Sequence, residues 1–157
     1  MIHFRNQTRG SGLNARRLKE VARALLHAAG EGESALSLTL VGDNEIQRLN
    51  CLHRGKDKAT DVLSFPLYAP GGPGTLQPAA DDMPERLLGD VVISVDTARR
   101  QAAEYDAPLE NEVHRLLIHG ILHVLGHDHE EPRERAAMEA EERRLAAAIG
   151  MPWPYDE

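Results

Sequence analysis

The chain has 157 residues, 41% of them hydrophobic and 4% aromatic, with a formal net charge of −7. That length suits a single domain spanning residues 1–157, and the hydrophobic share excludes a disordered chain. With so few aromatics the core must rest on Leu, Val, Ile and Ala, and the negative charge excludes a protein that coats nucleic acid through a general positive field.

Ile2 and Phe4 alternate with His3 and Arg5, which predicts a short first strand. An amphipathic helix follows from about Asn14 to Ala29, with Leu18, Val21, Ala22, Leu25 and Leu26 on its apolar face. Asn14 is placed to cap it and Gly30 to end it. Leu36, Leu38 and Leu40 alternate with Ser37 and Thr39, the period of a half-buried strand. Asp43 then caps a helix through Ile46 and Leu49 to about Cys51. Cys51 is the only cysteine, so it forms no internal disulfide, and it reads as a small hydrophobe near a helix end.

A charged turn leads into a strand at Val62 to Phe65, which Pro66 closes or confines to an edge. Tyr68 to Arg86 is rich in Pro, Gly and Asp and reads as a mobile surface loop. "LLGDVVISV" is the next strand, and Asp96 caps a helix to about Tyr105. Pro108 opens a helix that is apolar on almost every side between Val113 and Leu125, which places it inside the fold. The last helix, Arg133 to Ile149, carries a solvated face of Glu and Arg with no binding role, while Ala136, Leu145 and Ile149 pack inward. Gly150 and Pro152 stop it. The order of elements predicts an α+β fold: a small four-stranded sheet, one layer thick, packed with about five helices around a central histidine-bearing one.

The opening "MIHFRNQTRGSG" has no apolar run of signal-peptide length, and no stretch reaches the ~18 apolar residues of a membrane span. A soluble, cytoplasmic protein without a membrane partner is expected.

Five of the chain's 8 histidines lie between His114 and His129. A single histidine on an apolar helix is usually a satisfied core residue, and two at i,i+4 are a weak signal. Here His119 and His123 share one helical face, Gly126 lets the chain turn back through a left-handed residue, and His129 can return to the same ion. Three protein ligands with an open fourth position is the arrangement of a catalytic zinc, and nickel or cobalt also fits three imidazoles. His114 and His127 fall outside that spacing. Asp128 fits two roles, an acceptor that orients a ligand ring or a turn stabiliser. The spacing is nearly that of the zinc peptidases, H-E-x-x-H-x-x-G-x-x-H, but Gly120 stands where their general base should be. Phosphodiester hydrolysis instead needs positive charge for the phosphoryl oxygens. Arg48, Arg54, Lys56 and Lys58 offer it within eleven residues, and the planar fork of Arg54 is the best suited to hold two phosphate oxygens. By composition alone this loop reads first as a solvated turn.

The motifs "HGILHVLGHDH" (His119 to His129), "RGKDKATDVLSFP" (Arg54 to Pro66) and "LLGDVVIS" (Leu87 to Ser94), in this order and spacing, resemble the YbeY family of bacterial endoribonucleases. The resemblance spans about Leu36 to Gly150. His127 stands where the family often has tyrosine, and the Tyr68–Arg86 loop is longer than usual. The resemblance implies a mixed sheet with helices and a metal-dependent, single-strand-specific endoribonuclease. It implies action in rRNA maturation, notably at the 3′ end of small-subunit 16S rRNA, and in ribosome quality control. It also implies His119, His123 and His129 as the metal ligands and Arg54 as the arginine needed for activity; the basic loop adds Lys56 and Lys58 as substrate-binding residues beside it, and the three histidines favour zinc. The implied partners are rRNA, the small ribosomal subunit and the Era GTPase, with no DNA. Docking on a ribosomal particle would reconcile the acidic net charge with an RNA substrate. Two other readings stay open: a metallopeptidase of metzincin type, against which Gly120 speaks, and a non-catalytic ribosome-assembly factor with a structural metal.

Overall fold

A computed structural model describes residues 1–67, 86–127 and 130–153. The elements run β1 (Ile2–Asn6), α1 (Ala15–Ala28), β2 (Ser34–Val41), α2 (Asp43–Arg54), β3 (Val62–Pro66), β4 (Arg86–Ser94), α3 (Val95–Glu104), α4 (Leu109–Val124) and α5 (Pro132–Ala148). The strand order is β1-β2-β4-β3. β1 and β4 both run parallel to β2, and β3 pairs antiparallel with β4 at the opposite edge. The fold is therefore α+β with a mixed four-stranded sheet, and Pro66 ends an edge strand, where its missing N–H costs no ladder bond.

The period-two pattern of β2 decides its faces. Leu36, Leu38 and Leu40 are fully buried in the main core with Val91 and Ile93 of β4, against Leu18, Val21, Leu25 and Leu26 of α1 and the apolar length of α4. The other face carries the half-buried Ser37 and Thr39. There α2 closes a smaller cluster, with Ile46 packed on Val41, Leu63 and Val92. One helix thus lies on the opposite side of the sheet from the main core.

Most helix ends follow the sequence, since Asn14 accepts from the Arg17 N–H at 3.0 Å and Gly30 follows the end of α1 at φ +80. Neither expected aspartate caps its own helix. Gly42 is the N-cap of α2 and Ser94 that of α3. Asp96 accepts from the Asp43 N–H at 2.9 Å, while Asp43 accepts from the hydroxyls of Ser94 and Thr97 at 2.7 and 2.6 Å. Asp96 thus serves the first N–H of α2, while Asp43 ties the hydroxyls at the start of α3, because the two N-termini meet at the end of the sheet. Burial alone would raise the Asp43 carboxyl, but these hydroxyls and the guanidinium of Arg100 together hold it below the ordinary aspartate value.

Three expectations change. Cys51 is exposed, not packed as a hydrophobe. α5 turns Met138 inward with Leu145 and Ala146, and leaves Ala136 exposed. Arg86 belongs to β4, where it pairs with Glu31 at 3.1 Å, so the loop expected from Tyr68 onward falls, up to residue 85, outside the described residues. Among the described residues no helix is long and apolar enough to cross a membrane.

Candidate active site

α4 carries the two histidines into a cleft beside β3. The Nε2 atoms of His119 and His123 lie 3.0 Å apart, with their rings edge-on at 4.5 Å between centroids. Two ligands on one tetrahedral ion with ~2.0–2.1 Å bonds have nitrogens about 3.3 Å apart, so the pair already converges as a shared ion requires. Nδ1 of His119 faces the Glu142 carboxylate of α5 at 3.8 Å. That leaves Nε2 for the ion and a carboxylate on the far ring nitrogen, the usual outer partner of a metal-bound imidazole. Glu142 also corrects the reading of α5, for this charge sits only 12% exposed over a candidate ligand.

Gly126 has φ +99, the left-handed turn expected after His123. His129, the expected third ligand, and Asp128 lie outside the described residues. Among the described residues no group of three His, Cys, Asp or Glu side chains gathers as a metal site.

Gly120 has a packing reason. A Cβ there would meet Val91 Cγ1 at 2.6 Å and Ser64 Oγ at 3.3 Å. The Ser64 hydroxyl donates to the Gly120 carbonyl at 3.2 Å in the interior. Position 120 therefore points at the sheet while His119 and His123 line the cleft. A glutamate could not stand there without forcing α4 off β4.

The opposite wall comes from the segment between α2 and β3. The cleft, about 280 Å³, is lined by Arg54, Thr60, Asp61, Val62 and Ser64 facing His119 and His123. Arg54 is the last residue of α2, which stops at a left-handed Gly55. Its guanidinium donates to the Ser64 carbonyl at 3.4 Å. β3 is thus the spacer: one residue, Ser64, touches Arg54 through its backbone and α4 through its side chain. The sequence left open whether the basic loop reaches the histidines, and the fold brings Arg54 there. Lys56 and Lys58 are exposed and do not line the cleft. Arg48 pairs with Glu45 at 2.5 Å. His114 is buried away from the cleft, and burial pushes its imidazole below the ordinary value, aided by Arg17 and opposed by Glu110. His127 is not part of the lining either.

Thr60, Asp61, Ser64 and Glu142 were not singled out from the sequence. The first three stand inside the quoted motif "RGKDKATDVLSFP", so a signal existed; Glu142 had none, being one of many acids on α5.

The family model described as endoribonuclease YbeY matches residues 3–150. This chain belongs to the YbeY family. The protein named endoribonuclease YbeY of Anaeromyxobacter sp. (strain Fw109-5) is 47% identical over 137 residues, which cover 87% of this chain and 66% of that protein. The protein of the same name from Halorhodospira halophila is 40% identical over 156 residues, covering 99% of this chain and 96% of the relative. The chain thus spans just under two thirds of the first YbeY relative's length and nearly all of the second's. The solution structure of TM1509 from Thermotoga maritima superposes with a TM-score of 0.58 at 24% identity, covering 100% of this chain and 97% of that one. That likeness speaks to the fold.

Proposed function

We propose that this protein is a metal-dependent endoribonuclease that cuts single-stranded RNA in rRNA processing, at the 3′ end of small-subunit 16S rRNA and in ribosome quality control. The observation that carries the reading is the meeting of Arg54 with the convergent pair His119 and His123 in one cleft, in a chain of the YbeY family. Zinc is the proposed ion, held by His119, His123 and His129, with nickel or cobalt able to fill the same nitrogens. Such an ion, when bound, supplies Lewis acidity and lowers the pKa of a water. The chain's own residues do the rest. Arg54, fixed on one side by the Ser64 carbonyl, turns its remaining N–H groups to the phosphoryl oxygens and stabilises the charge that grows on them. Glu142 orients the His119 ring. Lys56 and Lys58, on the exposed rim, attract the flanking phosphates. The proposed partners are the small ribosomal subunit and the Era GTPase in the cytoplasm, where docking delivers RNA to an acidic protein.

The test is cleavage of a small-subunit rRNA precursor by the purified protein, beside His123→Ala and Arg54→Ala, with end-mapping of products. The expected result is cutting by the wild type, loss of metal and activity in His123→Ala, and loss of activity with retained metal in Arg54→Ala. Absence of cutting by pure protein, together with unfolding on chelation, would support the assembly-factor reading instead.

A further inference from the structure

Asp61 is an unexpected group for a phosphate cleft, because a carboxylate repels the phosphodiester that Arg54 is placed to hold. It is also held firmly. Oδ1 accepts from the Val62 N–H at 2.8 Å and from the Thr60 hydroxyl at 3.4 Å, and Oδ2 accepts from the Gln101 side-chain amide at 3.3 Å. The orientation of that amide is set from the core. Arg115 donates to Gln101 Oε1 at 3.5 Å, so Gln101 must present its NH₂ to Asp61. Arg115 in turn is anchored through Nε, at 2.9 Å, and through a second, shorter bond to Glu112, a carboxylate with no solvent exposure. Burying an ion pair is costly to a fold. Here the pair ends a chain of hydrogen bonds, Glu112 to Arg115 to Gln101 to Asp61, that fixes one carboxylate in the cleft wall.

Among the described residues, the Thr60, Val62 and Gln101 groups are all that bond to the Asp61 carboxylate, while its backbone carbonyl accepts from the Ser94 N–H at 2.9 Å. Each carboxylate oxygen has more than one acceptor direction, and Oδ2 carries a single donor, so acceptor capacity remains on a residue that lines the cleft. A nucleic-acid backbone presents phosphate and ether oxygens, none of which can donate. Its single backbone donor is the ribose 2′-hydroxyl, which is also the group that separates RNA from DNA.

We propose that Asp61 is a specificity-determining residue whose carboxylate accepts a hydrogen bond from a ribose 2′-hydroxyl of the strand whose phosphate Arg54 holds. Gln101 is its positioning residue. This inference rests on the endoribonuclease reading above and adds the feature by which the cleft selects ribose.

The experiment uses metal-loaded protein and a single-stranded RNA oligonucleotide with a mapped cleavage site, in which each nucleotide in turn is replaced by its 2′-deoxy form. The readout is kcat/KM for each substrate. Wild type is expected to lose tenfold or more at one position near the cut, and Asp61→Ala to lose less than twofold there. Asp61→Asn, which keeps an acceptor oxygen, retains most of the discrimination. Gln101→Leu, which frees the carboxylate without removing it, falls between wild type and Asp61→Ala. A merely structural role for Asp61 would slow all substrates by a common factor and leave every deoxy penalty unchanged; that outcome overturns the proposal. Should Asp61→Ala fold poorly, the Asn and Leu variants carry the same comparison. If wild type cuts no RNA, the endoribonuclease reading fails and the inference falls with it. Cutting with unchanged penalties sinks the inference alone.

Discussion

On the helix side of the cleft, α4 lies so close to β4 that a single added carbon at Gly120 would overlap Val91. On the other side, Arg54, Lys56 and Lys58 are exposed and ride on a segment held by a few hydrogen bonds, among them Asn50 to the Lys58 carbonyl at 2.9 Å. The first wall fixes the histidines through close packing, which resists change in volume. The second offers exposed cationic side chains, whose loss leaves no cavity in the core. Damage to the first wall should therefore register as stability and damage to the second as activity.

The largest effect is expected at Gly120. Gly120→Glu adds an overpacked side chain and a buried carboxylate, and denaturant unfolding should show a loss of more than about 3 kcal/mol. Gly120→Ala gains helix propensity of roughly 1 kcal/mol yet still meets Val91. A net loss is expected, and Val91→Ala in the same chain should restore part of it. Neither change should bring peptidase activity, measured on a peptide library, because position 120 faces the sheet.

Next comes the loop wall. Arg54→Ala is expected to lower kcat/KM on RNA by about 10²–10³, the usual cost of one donor to a developing charge. Its melting temperature should stay within a degree or two of wild type. Arg54→Lys should recover little, since an ammonium lacks the planar fork. If Arg54→Ala instead unfolds the protein, the two walls are not distinct in kind.

His114 probes the packed interior on its own. Its imidazole is held below 6.5 by burial. Between that depressed folded value and 6.5 the unfolded chain binds a proton that the folded chain refuses. Stability is therefore full above pH 6.5 and falls as the pH drops through it, with a slope of less than one proton. His114→Gln should flatten that part of the stability profile, measured by thermal unfolding between pH 5 and 8.

The smallest effect is expected from Lys56→Ala with Lys58→Ala. Cleavage at physiological salt should change by only about two- to fivefold. The salt dependence of binding should weaken by about 0.7 in log–log slope for each phosphate that the lysines no longer neutralise. An unchanged slope would remove the lysines from the substrate path.

Much of this site was legible in the sequence because it is local. The i,i+4 spacing of His119 and His123 puts both rings on one side of a helix, within reach of the observed 3.0 Å between nitrogens. The left-handed Gly126 was legible for the same reason. Asp43 and Asp96 were expected to cap their own helices, but Gly42 and Ser94 hold those positions, and what each aspartate bonds depends on where two distant N-termini meet. Glu142 could not be picked from its neighbours on α5, because its partner is twenty-three positions away in sequence and adjacent only after packing.

Periodicity and short spacing act within a few turns of chain, and they were enough to settle most of the elements, the α+β class and the histidine pair, while the family came from the resemblance of three motifs. The order of residues alone could not say that Arg54 shares a cleft with those histidines, that Asp61 is fixed from the core, or that Gly120 lies against Val91. Those are meetings between elements dozens of residues apart, set by how the strands pair and how closely α4 can approach them.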